Sequence, residues 1–283
     1  MTLKNLFKIN LVALLIFLQS CATRQGLNVG EIPVAKIPTP SDRDIAENAI
    51  SGEIDNNNYT PITSGPLVKR ATKLVDEITV AAGYPKGTFP VHVVDAGEEV
   101  NAVTVNSSSF MIYSELMNRV NNDSELMTII GHEMAHALAR HSDEAEEESS
   151  RSDAVSIGST LLGTAAAVGV ALAGGGGQAA NLAGDLTEGV TGAVGYGVFV
   201  GSYSRDQEYE ADHLGLMLMA KAGYDPSAAL NFWSKASEVF GSEHGSVGAF
   251  FSTHPGHEDR LDELRAALPV AMLYYNEAKV KRK

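Results

Sequence analysis

A single cysteine among 283 residues leaves no means of building an internal disulfide framework, a four-cysteine zinc knuckle or an iron–sulfur cluster. Basic residues are also scarce: 21 Lys and Arg stand against 35 Asp and Glu, a formal net charge of −14. Phosphate backbones attract the opposite sign, so nucleic acid is not an expected partner. No internal repeat is visible, and residues 154–184 carry no charged side chain. What the chain does have is length and 44% hydrophobic residues, enough to bury a core without staples. These counts describe an acidic globular protein of one large or two small domains, and the motifs have to supply the chemistry.

At the N-terminus, Lys4 and Lys8 precede an apolar run, Leu11 to Leu18, that is too short to span a bilayer as a mature helix. This is the pattern of a secretory signal. Leu18-Gln19-Ser20-Cys21 resembles a bacterial lipobox, which implies removal of residues 1–20 and acylation of Cys21. No Arg occurs before Arg24, unlike a mitochondrial transit peptide. An acidic chain is repelled by anionic lipid, so the acyl chains would have to be the anchor. Ala22, rather than Asp, follows the cysteine. The expectation is a protein lipid-anchored in the bacterial cell envelope, at the outer membrane facing the periplasm.

Residues 21–65 hold Pro33, Pro38, Pro40, Pro61 and an Asp55-Asn56-Asn57-Asn58 run. They read as a tether with a short helix at 41–50, capped by Ser41. The domain is expected over 66–283. Leu67, Ala71, Leu74, Ile78 and Ala81 keep the spacing of a one-faced helix that stops at Gly83. Three β-like runs follow, at 91–95, 100–105 and 109–113, then a helix at 114–120. Asn122 and Glu125 have capping-box spacing and open a long helix, and the remainder is helical in pattern. The fold class is therefore α+β, mainly helical, with a small sheet. Within it, 154–201 is a Gly/Ala-rich helical segment. Residues 155–174 have the length of a membrane span, yet they are mostly Ala, Gly, Ser and Thr. A buried or gating helical hairpin over the active site is favoured over a transmembrane helix. The acidic run 143–148 reads as a solvated face.

The chemistry is concentrated in His132-Glu133-Met134-Ala135-His136. Residues four apart share a helix face, so both imidazoles can bind one Zn²⁺, while Glu133 is turned toward a water and suits a general base. Zinc needs a third ligand, and Glu208 and Asp212 share a face in the helix that follows Ser204-Arg205, while Glu210 points elsewhere. Spacing alone leaves open which of the pair binds metal. Downstream, His254-Pro255 and Arg260 offer donors for an oxyanion, or else a helix N-cap region with a structural Arg–carboxylate pair. His92, His141, His213, His244 and His257 lack ligand spacing and read as structural or surface residues.

His-Glu-x-x-His, Glu208-x-x-x-Asp212 and His254-Pro255 with Arg260, in this order, resemble the M48 zinc metallopeptidases, a gluzincin family, and within it the Oma1-like and bacterial envelope lipoprotein-type members. The resemblance spans about residues 66–268. It implies a zincin-type domain whose small sheet lies next to the His-Glu-x-x-His helix, and one zinc per chain held by His132, His136 and Glu208. It implies Glu133 as base and proton shuttle. Asp212 would support the ligand histidines or assist proton transfer, and His254 and Arg260 would hold the oxyanion. Peptide substrate would pair with the edge strand at 100–105, at Asn101 and Ala102, which suits unfolded chains of little sequence identity. The expected function is envelope quality control: a zinc endopeptidase cutting unfolded or misfolded proteins. The alternative is a lipoprotein chaperone or assembly factor with gated or minor protease activity.

Overall fold

The computed structural model describes residues 37–144, 203–236, 250, 254 and 259–281. Helix α1 (Pro40–Asn57) starts with a proline at a position where the missing N–H costs nothing. Thr39 caps it: its hydroxyl accepts from the Asp42 N–H, and the Asp42 carboxylate accepts from the Thr39 N–H. Strand β1 (Thr60–Ile62) and helix α2 (Pro66–Ala81) follow, then β2 (Val91–Asp95), β3 (Ala102–Val105) and β4 (Ser109–Tyr113). The four strands form one sheet in the order β1-β2-β4-β3, with β2 and β4 parallel and the other pairs antiparallel.

Alternation along the strands gives the sheet two apolar faces. Val94, Val103, Val105, Met111 and Tyr113 pack on Ala46 and Ile50 of α1. Val93, Ala102, Phe110 and Ile112 belong to the main core with Leu74 and Ile78 of α2. This corrects the reading of 21–65 as a tether before a domain that starts at 66. Residues 40–62 form a helix and an edge strand, because the second sheet face needs an apolar cover. The helix runs past residue 50, and its cap is Thr39 rather than Ser41.

After the short α3 (Ser114–Arg119), the long helix α4 (Asp123–Ala139) begins as expected at Asn122. The Asn122 side chain accepts from the N–H groups of Ser124 and Glu125, while the Glu125 carboxylate reaches back to the Asn121 N–H at 2.9 Å. From Leu126 to Ala139 every residue of α4 is buried, so this is a central helix rather than an amphipathic one. Helix α5 (Arg205–Lys221) is capped by a Ser204–Gln207 box and crosses α4 where Gly131 meets Gly215. A Cβ on Gly215 would sit 2.8 Å from the Gly131 carbonyl carbon and from the His132 nitrogen, so only glycine permits this approach. Helices α6 (Ser227–Ser234) and α7 (Arg260–Lys281, with Pro269 inside it) complete the core.

Among the described residues, no helix is long and apolar enough to cross a membrane. The expectations for residues 1–20, Cys21, the 154–201 segment, His244 and His257 fall outside the described residues.

Candidate metal centre

His132 and His136 lie one turn apart on α4, and Glu208 sits in the first turn of α5. The Gly131–Gly215 contact is what brings the second helix within reach of the first. His254 reaches the same point, its own N–H donating to the Phe250 carbonyl at 2.8 Å and its ring stacked on Phe250. His132 Nε2 lies 3.1 Å from both His136 Nε2 and His254 Nδ1. Glu208 oxygens lie 3.5, 3.4 and 3.0 Å from the three imidazoles. All four side chains are buried.

These separations test whether a metal fits. Ligands 2.0–2.1 Å from a tetrahedral centre lie about 3.3–3.5 Å from one another, close to the spacing seen. His132 Nδ1 is 2.9 Å from Asp212 Oδ1, and the carboxylate can only accept, so the proton of the neutral ring is there and Nε2 presents a lone pair. That lone pair faces two further imidazole nitrogens and a carboxylate. A convergence of such donor atoms favours a cation. His132, His136, Glu208 and His254 are thus a donor set that can hold a metal ion.

The surroundings position these ligands. Arg260 donates from Nε to Asp212 Oδ2 at 2.6 Å and from one Nη to Glu208 Oε2 at 2.7 Å, with its guanidinium 3.8 Å above the Trp233 ring. Tyr203 stacks on His136, centroids 3.9 Å apart. Glu133 is held from two sides by Thr104 of β3. The Thr104 N–H donates to Glu133 Oε2 at 2.7 Å, and its hydroxyl donates to the Glu133 carbonyl, also at 2.7 Å. Glu133 Oε1 has no hydrogen bond among the described residues and faces His254 Nε2 at 3.2 Å.

Charge is unevenly distributed in the metal-free site. Burial alone would lower the His132 pKa, but the Glu208 and Asp212 carboxylates overcome it and raise it from 6.5 to about 9. For His136 burial wins over its hydrogen bond to Glu208, and with the neighbouring imidazoles it pushes the pKa well below 6.5. Burial also raises the Glu208 carboxyl, yet the His132 charge and hydrogen bonds from three histidines hold it far below the usual carboxylate range.

The profile of peptidase family M48 matches residues 68–268. The chain belongs to this family. Over 217 residues it is 28% identical to the mitochondrial metalloendopeptidase OMA1 of Schizosaccharomyces pombe, covering 77% of this chain and 56% of that protein. It is 28% identical to the beta-barrel assembly-enhancing protease of Yersinia pestis over 72% of this chain and 40% of that one. It is 27% identical to the metalloprotease LoiP of Escherichia coli over 72% and 73% of the two chains. The chain therefore spans only about half the length of the yeast relative, and less of the Yersinia one.

In this M48 chain the structure brings His132, Glu133, His136, Glu208, Asp212, His254 and Arg260 into one cluster. Arg260 donates to the carboxylates of Asp212 and Glu208, the Arg–carboxylate arrangement. His254 Nδ1 is one of the four atoms of this donor set. Asn101 and Ala102 are both buried. The Ala102 N–H donates to the Asn101 side-chain oxygen at 2.9 Å, and the Asn101 carbonyl accepts from the Tyr113 N–H. Sequence reasoning missed Thr104, Tyr203, Trp233 and the pair His141–Glu210. Trp233, the only tryptophan in the chain, carried the one available signal. His92 pairs with Glu47 and His213 faces Glu263, both away from the cluster, as their lack of ligand spacing suggests.

Proposed function

We propose that this chain is a zinc-dependent endopeptidase, with one zinc per chain held by His132, His136 and Glu208. The observation that carries this reading is the Glu133 carboxylate. One oxygen is anchored by the Thr104 N–H; the other is buried, has no hydrogen bond among the described residues and lies 3.2 Å from His254 Nε2, beside the donor set. Bound there, zinc supplies Lewis acidity that acidifies a water and polarises a peptide carbonyl. Glu133 Oε1 accepts the water proton and passes it to the leaving amine. Asp212 holds His132 by its Nδ1–H and is itself held by Arg260. A metal held by His132, His136 and Glu208 would leave the His254 ring free to donate to the oxyanion.

The edge of β3 is the proposed path for substrate, at Asn101 and Ala102. Backbone pairing reads little side-chain identity, which suits unfolded or misfolded chains. Residues 1–21 support anchorage by acyl chains on Cys21 and a place in the bacterial envelope, with quality control of envelope proteins as the role. Loss of lipid labelling in Cys21→Ser would accompany that anchorage.

The test compares full-length wild type with Glu133→Gln for zinc content and cleavage of unfolded casein. One zinc per chain in both, with cleavage reduced by a factor of 10³ or more in the variant, is expected. Equal cleavage by the two would overturn the role of Glu133, and absence of zinc from both would overturn the ligand set.

A further inference from the structure

The two ligand histidines are supported differently. His132 donates directly to a carboxylate, Asp212. His136 does not: its Nδ1 lies 2.8 Å from His141 Nδ1, and His141 Nε2 lies 3.3 Å from Glu210 Oε2. His141 is completely buried and Glu210 partly so. We propose that His141 and Glu210 are positioning residues, which lock His136 in the tautomer that presents Nε2 to the metal.

Proton counting gives the chain its direction. Only one proton fits between two Nδ1 atoms at this separation. A neutral His136 that offers the Nε2 lone pair must carry its proton on Nδ1, and so it donates to His141. His141 then carries its own proton on Nε2, where the Glu210 carboxylate accepts it. Every polar atom of the chain is satisfied in this arrangement and in no other with neutral rings. Tyr203 covers one face of the His136 ring, so tautomer and ring orientation are fixed together. The geometry depends on where α4 ends. Arg140 lies in the left-handed region, φ 57°, and turns the chain so that His141 folds back over His136 instead of continuing around the helix.

The inference rests on the zinc-peptidase reading, and its test is zinc affinity rather than turnover. Zinc dissociation constants of the full-length protein are measured by chelator competition for wild type, His141→Leu, His141→Asn and Glu210→Gln. Asn places an oxygen where the imidazole has Nδ1 and can accept from His136; Leu cannot. Supporting partners of this kind are typically worth about 10–100-fold in metal affinity. His141→Leu is expected to lose affinity in that range, His141→Asn to retain most of it, and Glu210→Gln to lose several-fold. Equal losses in Leu and Asn would reduce His141 to a packing role and overturn the proposal, as would wild-type affinity in all three variants. If His141→Leu does not fold, Glu210→Gln decides, since it keeps volume and removes only charge. A wild type that binds no zinc would defeat the metal assignment itself, a different failure from that of the relay.

Discussion

His132 and His136 differ in how much a proton competes with the metal for them. With His132 raised to about 9 and His136 well below 6.5, a metal-free protein at neutral pH holds a second proton on His132, at Nε2, and metal must displace it. Apparent zinc affinity should therefore rise about tenfold per pH unit up to about pH 9 and level off above, as read by chelator competition. A pH-independent affinity across that window would contradict the charge pattern. The stability of the metal-free protein runs the other way. A raised folded-state pKa contributes fully below 6.5 and is lost as pH rises through about 9, so the unfolding midpoint of stripped protein should fall over that interval. His132 and His136 were legible as a pair because helical spacing puts them on one face, whereas spacing left open which of Glu208 and Asp212 joins them. Their supports were not legible. His141 is five residues beyond His136, and a continuing helix would carry it to another face. It reaches His136 because the helix stops at Ala139 and Arg140 adopts a positive φ that no periodicity announces. Thr104 was hidden for a similar reason, since strand alternation says which face a residue takes and not which helix meets it.

The position of α5 against α4 follows from two glycines, and this contact can be tested apart from the ligands. Gly215→Ala would put a methyl group 2.8 Å from backbone atoms of α4 beside His132. Backbone cannot yield as a flexible side chain does, so the helices must separate. Overpacking of this kind costs about 1–3 kcal/mol, and the shift carries Glu208 away from both histidines. The expected result is a lower denaturation midpoint together with weaker zinc binding, although no ligand has been touched. Unchanged binding would mean that Glu208 is placed by something other than this crossing. Helix α1 is the opposite case in legibility. α2 and α4 carry enough apolar residues to declare themselves, whereas α1 buries only Ala46 and Ile50, and its Asn- and Asp-rich sequence reads as a tether. Its role lies in the sheet face it covers. Ile50→Ala should cost about 2–5 kcal/mol in urea unfolding, and a chain begun at residue 66 should be insoluble because Val94, Val103, Val105 and Met111 lose their cover. A fully stable chain from residue 66 would restore the tether reading.

On the scale of the whole molecule, the centre joins parts of the chain that are remote in sequence: α4, α5, the segment at 254 and the start of α7. Arg260 closes this assembly, because it reaches from the first residue of α7 to the Glu208 and Asp212 carboxylates of α5. Glu133, Glu208 and Asp212 are buried together, and among the described residues Arg260 is the fixed positive charge that faces two of them. A metal is the second positive charge. Each therefore compensates the same carboxylates, and removing one makes the other matter more. Arg260→Met keeps an apolar stem against Trp233 and removes the charge. In metal-free protein it takes the fixed charge from Glu208 and Asp212 and leaves them to the histidines, a loss of about 3–5 kcal/mol. In zinc-loaded protein the divalent charge offsets part of that loss, so the destabilisation should be smaller. Linkage then requires the zinc-dependent rise in unfolding midpoint to be larger in Arg260→Met than in wild type, at matched free zinc. Calorimetry with and without chelator measures both. An equal drop in the two states would show that Arg260 acts through packing on Trp233 alone, independently of the charges it joins.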